Sequence, residues 1–355
     1  MDHPQTSRVA SSGPGSPAKA RTLNHTRRQR QLIFAALIAA LFIADLAIGP
    51  VRLQLADLWQ ALQGQAGQST LPLKVLWELR LPQTLMAVLA GASLGLAGAE
   101  MQTALDNPLA SPFTLGVSSA AALGAALVLV LPFSVPGIDP AWLLVLSAMS
   151  GGLLCSLAIQ KVARHNRLGT QGIILLGIVL VFSFNALLSL IQLLANAASL
   201  QSLVFWMMGS LSRAQWSGVI VLAAAFAAAI GLAMRASSAL TALRFGDDRA
   251  AGFGVDAARV RRHALLRASV LASLCVALVG VIGFVGIMAP HIARRLWGED
   301  QRWLLPGSAL CGAIILLAAS AVSKLALPPA VIPVGIITTV VGIPFFIAAL
   351  WRRPL

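Results

Sequence analysis

Charge is scarce in this sequence. Only 11% of its 355 residues are Asp, Glu, Lys or Arg, whereas 58% are hydrophobic. Soluble globular domains carry about 25% charged residues, because a surface that faces water needs that much polarity. Several apolar runs also approach the roughly 20 residues that a helix needs to cross a bilayer. Both features exclude an ordinary soluble domain and predict an all-α polytopic membrane protein.

Lysine is rare as well, with only four in the chain, although the net charge is +14. Most of the positive charge comes from arginines in short breaks between the apolar runs, with little aromatic sequence interleaved. This arrangement is typical of the positive-inside rule and differs from the basic stripe of a nucleic-acid-binding surface. We therefore exclude nucleic acid as a partner and expect membrane lipid around the chain.

Residues for nucleotide, metal and covalent chemistry are also missing. No lysine follows a glycine, so the chain has no P-loop, in which Gly-Lys precedes Ser or Thr. Cys155, Cys275 and Cys311 lie in separate apolar runs and form neither a CxxC pair nor a zinc-ligand spacing. No nucleophile–base arrangement is evident either. We predict no catalytic residue, no metal site and no cofactor bound directly by this chain.

The apolar segments predict about ten membrane helices. They cover approximately residues 31–49, 83–105, 115–133, 141–162, 171–195, 216–235, 264–282, 284–296, 304–325 and 333–351. Another apolar piece, 202–211, is too short to span and predicts a re-entrant or interfacial helix. Residues 1–30 are polar and then basic, which is typical of a disordered cytoplasmic tail. The predicted organisation is thus a tail over 1–30 and a transmembrane domain over 31–355.

Arginine placement predicts the orientation of these helices. With the N-terminus inside, the cytoplasmic connections contain most of the arginines, whereas the opposite connections at 134–140 and 326–332 contain no Lys or Arg. The long loop 50–82 is a mild exception, and long loops have little influence on topology. We therefore expect both termini in the cytoplasm.

A stripe of small residues marks the helix expected at 83–105. Ala87, Gly91, Gly95 and Ala99 recur every four residues and so lie on one helical face. Such a stripe lets helix backbones approach closely in lipid. It also suits a wide pathway with few bulky obstructions, and both interpretations stay open.

Polar residues follow this stripe. Glu100 and Gln102 lie near the end of the helix, and a carboxylate at membrane depth must face protein or water. Asn107-Pro108 then breaks the helix, because proline cannot donate the next hydrogen bond. The group predicts either a structural cap at Asn107 or the lining of a pathway.

A second break lies near 284–296. Gly283 and Gly286 weaken the helix, and Pro290 interrupts it. Non-helical backbone at membrane depth persists only where it is buried in protein or lines a cavity. His291 follows, but no carboxylate or cysteine stands nearby, so we reject a metal site.

The longest cytoplasmic connection, 237–262, is here called the elbow. Its glycines at 246, 252 and 254 predict two short helices separated by breaks. A G-x-G-x-x-A run at 252–257 formally matches a dinucleotide fingerprint, yet no strand precedes it and no βαβ unit fits. A helical elbow that carries both charge signs is suited to docking another protein.

Together these regions resemble the permease subunits of ATP-binding-cassette (ABC) importers for ferric siderophores, haem and cobalamin. The matching segments keep the family's order and spacing from about residue 31 onward: LRLP at 79–82, GA at 98–99, Gln102, NPLA at 107–110, LGVS at 115–118, 246–254, GFVG at 283–286, PH at 290–291, Arg294, IPVG at 332–335 and GIPFF at 342–346.

The resemblance implies a type II ABC importer permease architecture with ten helices per subunit, paired as a homodimer or heterodimer in the bacterial inner membrane. It also implies cytoplasmic ATPase subunits that use the ATP and a periplasmic or lipid-anchored substrate-binding protein that delivers the chelate. On this basis the chain is not an enzyme, and we expect it to move an iron(III)-siderophore chelate by alternating access.

The resemblance assigns roles to individual residues. ATPase coupling falls on Arg244, Gly246, Asp247, Asp248, Ala250, Gly252, Phe253 and Gly254. The pathway and its gate fall on Glu100, Gln102, Asn107, Pro108, Leu168, Gly169, Thr170, Gly283, Gly286 and Pro290. Docking of the binding protein falls on Arg80, Gln83 and Lys324, although the family usually has arginine at the last two. Ser320 and Val331 likewise stand where the family usually has Asp and Glu.

Two other functions remain open. An ion-coupled secondary transporter would use Glu100 or Asp45 as a proton relay, and a membrane assembly protein would move nothing. Haem and cobalamin also remain alternative cargoes.

Overall fold

The computed structural model describes residues 17–49, 74–131, 134–165, 169–328 and 330–351. These residues form thirteen α-helices: α1 Pro17–Ala47, α2 Leu81–Ala104, α3 Val117–Val130, α4 Pro140–His165, α5 Thr170–Leu194, α6 Ala197–Met207, α7 Trp216–Arg235, α8 Ser237–Leu243, α9 Asp247–Gly252, α10 Ala257–Val279, α11 Val285–Trp297, α12 Gln301–Leu325 and α13 Val334–Trp351. The described residues contain no strand beyond an isolated bridge between Leu327 and Ala330. The predicted all-α class is confirmed.

Seven of the described helices are long and apolar enough to cross a membrane. The chain is therefore a multi-pass membrane protein, but the count of ten spans is not confirmed. Three of the predicted spans are absent from this set. One is α13, whose apolar part, Val334–Ala348, falls among the shorter helices, and the other two are shortened by backbone breaks. Gly116, with φ 80°, ends the turn before α3, and Phe284, with φ 64°, precedes α11. These two helices are only 14 and 13 residues long.

The first helix begins earlier than expected. Residues 17–30, which we predicted as part of a disordered tail, are helical, while 1–16 lie outside the described residues. The extension is held against the end of α11: the indole N–H of Trp297 donates to the carbonyl of Arg27 at 3.0 Å, and Arg30 donates to the carbonyl of Leu296. Phe34 packs edge-on against Trp297. Such long-range contacts cannot be read from the composition of the segment.

The second helix also begins early. A π-helical turn, Leu76–Arg80, occupies part of the predicted loop 50–82 and runs directly into α2. Pro82 removes one helical donor, and the wider turn, in which the N–H of Leu81 reaches the carbonyl of Leu76, accommodates this. Residues 50–73 lie outside the described part of the chain.

Helix α2 forms the centre of the bundle and is buried along most of its length. Its glycines remove side chains where neighbouring backbones pass: Gly91 lies against the carbonyl of Gly312 and Gly95 against that of Ser308, both on α12. Small residues allow this close approach. The stripe at 87–99 is therefore a packing face, which favours the first of its two interpretations.

The short helix α6 corresponds to the predicted re-entrant piece but lies at Ala197–Met207 instead of 202–211. Asn196 caps its start by accepting from the N–H of Ser199 at 2.9 Å, a capping signal that the apolar pattern did not include. Gly209, with φ 66°, ends the segment against the backbone of Val281.

Candidate functional site

The elbow folds as its glycine pattern predicts. Helices α8 and α9 are separated by Gly246, with φ 94°, and α9 is separated from α10 by Gly254, with φ 75°. Positive φ suits glycine because other residues meet steric strain there. Asp256 then caps α10 by accepting from the N–H of Arg259 at 2.9 Å.

The elbow has a buried side and an exposed apolar side. Leu240, Leu243 and Ala250 face the bundle and are almost fully buried. Phe245 and Phe253 are 56% and 69% exposed. Large exposed aromatic side chains outside the candidate membrane spans are typical of a protein–protein contact.

Arg261 connects the elbow to the C-terminal end of α2. Its guanidinium donates to Asp247 on α9 at 2.9 Å and to the carbonyl of Ala104 at 2.7 Å. That carbonyl lies in the last turn of α2, where helical acceptors lack internal partners. A displacement of α9 would therefore be transmitted to α2 through the side chain of Arg261. Arg261 was not among the predicted coupling residues.

Glu100 is not open to a pathway in this structure. It is 1% exposed and forms an ion pair with Arg267 of α10, whose Nε lies 3.0 Å from Oε1. Its second oxygen has no hydrogen-bond partner among the described residues. Arg267 was not among the predicted site residues. A lone arginine within an apolar helix could have indicated it, because a charge at membrane depth requires a counter-charge.

The side chain of Gln102 supplies a hydrogen bond in place of the helical one that is lost at Pro290. Proline has no N–H for the carbonyl four residues earlier, and this carbonyl belongs to Gly286. The amide of Gln102 donates to it at 3.4 Å, and Gln102 also accepts from Arg294 at 2.5 Å. The structure therefore brings three of the predicted pathway residues together at the contact between α2 and α11.

Asn107 forms a local turn after α2. Its side chain accepts from the N–H of Leu109 at 2.8 Å, and its own N–H donates to the carbonyl of Gln102 at 3.1 Å. Asp106 before it has φ 42°. These contacts support the structural cap, and the pathway role of Asn107 and Pro108 stays a prediction.

The predicted gate is only partly described. Leu168 lies outside the described residues. Gly169 precedes α5, and its carbonyl accepts from the N–H of Ile173 at 3.1 Å. Thr170 borders a cavity of about 400 Å³ between α4, α5 and α10. Gly283, another predicted pathway residue, lies in the break before α11 and is buried.

At the other end of the bundle, the predicted docking cations are buried. Arg80 is 4% exposed and donates to the carbonyl of Leu46 at 2.7 Å. Lys324 forms an ion pair with Asp45 at 2.7 Å, and the hydroxyl of Thr84 donates to the same carboxylate at 2.6 Å. Asp45 is thereby neutralised by a neighbouring lysine.

These cations border a cavity of about 190 Å³ that Gln83 and Ser320 also line. Val331 lines it as well and is 48% exposed. A docking role for Arg80 and Lys324 stays a prediction, and it requires them to be reached through this cavity.

A short turn joins α11 to α12 beside the elbow. It comprises Gly298, Glu299 and Asp300 and is called the connecting turn below. Asp300 caps α12, and its hydrogen bond from the side chain of Arg302 lowers the pKa of Asp300 from its ordinary value, although burial acts in the opposite direction. Glu299 forms ion pairs with Arg244 and Arg294.

Comparison with known proteins gives consistent results. The profile of the FecCD transport family matches residues 17–352. The chain is 36% identical to the vitamin B12 import system permease of Vibrio cholerae, over 94% of this chain and 98% of that protein. It is 33% identical to the hemin transport system permease of Yersinia pestis, over 92% and 97%. It is 34% identical to the Fe(3+)-citrate import system permease of Bacillus subtilis, over 91% and 96%.

A solved structure has the same fold. It is described as an inward-facing conformation of an ABC transporter assigned to the metal-chelate type, and it shares 28% identity with this chain at a TM-score of 0.81. The match covers 92% of this chain and all of the other.

Proposed function

Because the chain belongs to the FecCD transport family, we propose that it moves an iron(III)-siderophore chelate across the bacterial inner membrane by alternating access. The family consists of permease subunits of ABC importers, so the chain itself is not catalytic and ATP hydrolysis takes place on a separate ATPase subunit. At the level of the family, the cargo is an iron chelate, haem or vitamin B12.

The observation that carries the mechanism is the attachment of the elbow to α2. Arg261 contacts both Asp247 and the carbonyl of Ala104, and Phe245 and Phe253 face outward. ATPase subunits dock on this exposed face in the proposed cycle. ATP binding draws the paired elbows together, and α2 and α10 tilt to open one side of the pathway.

The proposed assembly places two permease subunits, as a homodimer or heterodimer, around a central pathway. Helix α5 supports this, because it is the most hydrophobic candidate span and only 17% of its apolar window is buried within the chain. Both termini and the elbow lie in the cytoplasm, and a substrate-binding protein approaches the opposite end. The chain binds no cofactor, since the ATP belongs to the partner.

Iron chelates are the proposed cargo because the relative from Bacillus subtilis is named for ferric citrate and the similar solved structure is described as of metal-chelate type. Haem and vitamin B12 are the alternatives, since two relatives are named for them. In each case the metal stays inside its chelate, so the pathway needs space and shape tolerance more than metal ligands.

The cargo is tested by growth and uptake. A deletion strain is grown on single iron sources that include catecholate, hydroxamate and carboxylate siderophores and haem, and a cobalamin-dependent strain tests vitamin B12. We expect growth to fail on one ferric siderophore and to return with the wild-type chain. Growth loss confined to haem or cobalamin would contradict the siderophore assignment.

The energy source and the elbow are tested in the same strain. Uptake should stop when ATP is depleted and should survive an uncoupler that leaves ATP intact. Replacement of Asp247, Asp248 and Gly252 together should abolish uptake while the permease still inserts. Normal uptake by that variant, with normal assembly, would argue against the elbow's role.

A further inference from the structure

Glu299 joins three parts of the molecule through one carboxylate. Its Oε2 atom accepts from Arg244, which follows α8 in the elbow, and from the Nε of Arg294 in α11 at 3.2 Å. Arg294 donates in turn to the side chain of Gln102 on α2 at 2.5 Å. A continuous chain of charge-assisted hydrogen bonds, which are stronger than neutral ones, therefore runs from the elbow to α2.

The residue after the connecting turn links the same two elements. The N–H of Gln301 donates to the hydroxyl of Thr241 on α8 at 3.2 Å, and its side chain donates to Thr103 on α2 at 3.0 Å. Gln301 is fully buried. Glu299 and Gln301, which lie two positions apart, thus both connect the elbow with α2, and Gly298, with φ 80°, sets the sharp geometry of the turn.

These links lie where the fold does not require an ion pair. The side chain of Glu299 is 52% exposed, and exposed ion pairs contribute little to folding stability. The neighbouring acid, Asp300, has the ordinary structural role in this turn, because it caps α12. What distinguishes Glu299 is its position between an element that faces a partner and the helix at the centre of the bundle.

We propose that Glu299 is a positioning residue of the transport cycle. It fastens α8 to α11 and α2, so that a displacement of the elbow moves the inner bundle instead of bending the connection between them. Arg261 provides the corresponding link for α9. The inference rests on the proposed function, since it assumes that an ATPase displaces the elbow.

The first test measures coupling in the assembled transporter. Permease, ATPase and binding protein are reconstituted in proteoliposomes with the radiolabelled chelate that the wild type imports, and chelate imported per ATP hydrolysed is measured. Mutations along coupling networks change the coupling by roughly twofold to thirtyfold, so Glu299→Gln should lower this ratio by that amount. Its assembly, thermal unfolding midpoint and ATP hydrolysis should stay close to wild type.

Two further variants separate positioning from a structural role. Glu299→Asp retains the charge and should recover at least half of the lost ratio. Asp300→Asn removes a charge from the same turn, and among the described residues Asp300 pairs with Arg302 and Arg27 but not with α8 or α2. It should leave the ratio unchanged. A wild-type ratio for Glu299→Gln, or an equal loss for Asp300→Asn, would overturn the proposal.

A second measurement does not depend on the cargo. Leu109, just beyond α2, is 44% exposed, and the three native cysteines are buried, so Leu109→Cys can be labelled with a methanethiosulfonate reagent. In the permease–ATPase complex, ATP should change the labelling rate on the wild-type background and not with Glu299→Gln. An equal ATP-dependent change in both would refute the positioning role. Absence of import by the wild type would instead count against the proposed function alone.

Discussion

At the scale of single residues, the carbonyl of Gly286 shows how α2 and α11 depend on each other. Pro290 cannot donate to it, Gln102 donates instead at 3.4 Å, and Gly98 lies directly against it. Gln102 therefore stabilises the break at Pro290, and Gly98 allows the backbone of α2 to approach closely enough for this contact.

A side chain at Gly98 should prevent this contact. Any Cβ atom there would overlap the backbone of Gly286, and overpacking of a core typically costs about 1–3 kcal/mol, occasionally more. We expect Gly98→Val to lower the thermal unfolding midpoint of the purified permease by several degrees, or to prevent insertion. Gly231→Val is the matched control, because no atom lies within 4 Å of a Cβ there. Equal midpoints for the two variants would contradict the packing account.

The pair formed by Glu100 and Arg267 should show strong asymmetry between single and double variants. Loss of one partner of a buried ion pair costs about 3–5 kcal/mol, because an uncompensated charge remains. Arg267→Met should therefore destabilise the permease severely, and Glu100→Gln combined with it should restore most of the stability. Denaturant unfolding in detergent measures this. A double variant no more stable than Arg267→Met would show that the charges are not coupled.

At the scale of elements, one face of the elbow packs against the bundle and the other is exposed for docking. Ala250 and the leucines of α8 are buried against the bundle. Phe245 and Phe253, in contrast, leave most of their apolar area exposed within the described chain. Burial of a large apolar side chain at an interface typically contributes about 1.5–3 kcal/mol. These two side chains can therefore change partner affinity without changing the fold.

Phe245→Ala with Phe253→Ala should weaken recovery of the ATPase subunit. We expect co-purification of the ATPase to fall at least about tenfold, since two such contacts exceed the 1.4 kcal/mol that corresponds to a factor of ten. The unfolding midpoint of the permease alone should stay unchanged. Ile220→Ala, at a residue 64% exposed on α7, is the control for loss of apolar surface elsewhere. Undiminished recovery of the ATPase would exclude this face as its docking site.

At the scale of the whole molecule, the two ends of the bundle differ in charge chemistry. The elbow end has a chain of bonded arginines and acids that connect helices through exposed side chains. The opposite end keeps Arg80, Lys324 and Asp45 inside the protein. This difference agrees with the positive-inside rule if the elbow end is cytoplasmic.

The orientation can be measured by thiol labelling in intact cells. Val331 and Phe253 are 48% and 69% exposed at opposite ends, and the native cysteines are buried. A reagent that does not cross the inner membrane should label Val331→Cys in intact cells and Phe253→Cys only after permeabilisation. The reverse pattern would invert the proposed topology and move the elbow away from any cytoplasmic ATPase.

Composition and local pattern were sufficient for the membrane class, the order of the helices and the break of the elbow at Gly246, because each depends on residues close together in the chain. The start of α1 at Pro17, the burial of Arg80 and the links made by Arg267 and Glu299 were not predictable in this way. They depend on which helices meet, and the residues concerned are far apart: 167 positions separate Glu100 from Arg267, and 279 separate Asp45 from Lys324. A charge in an apolar helix signals that a partner must exist, but its identity follows from packing alone.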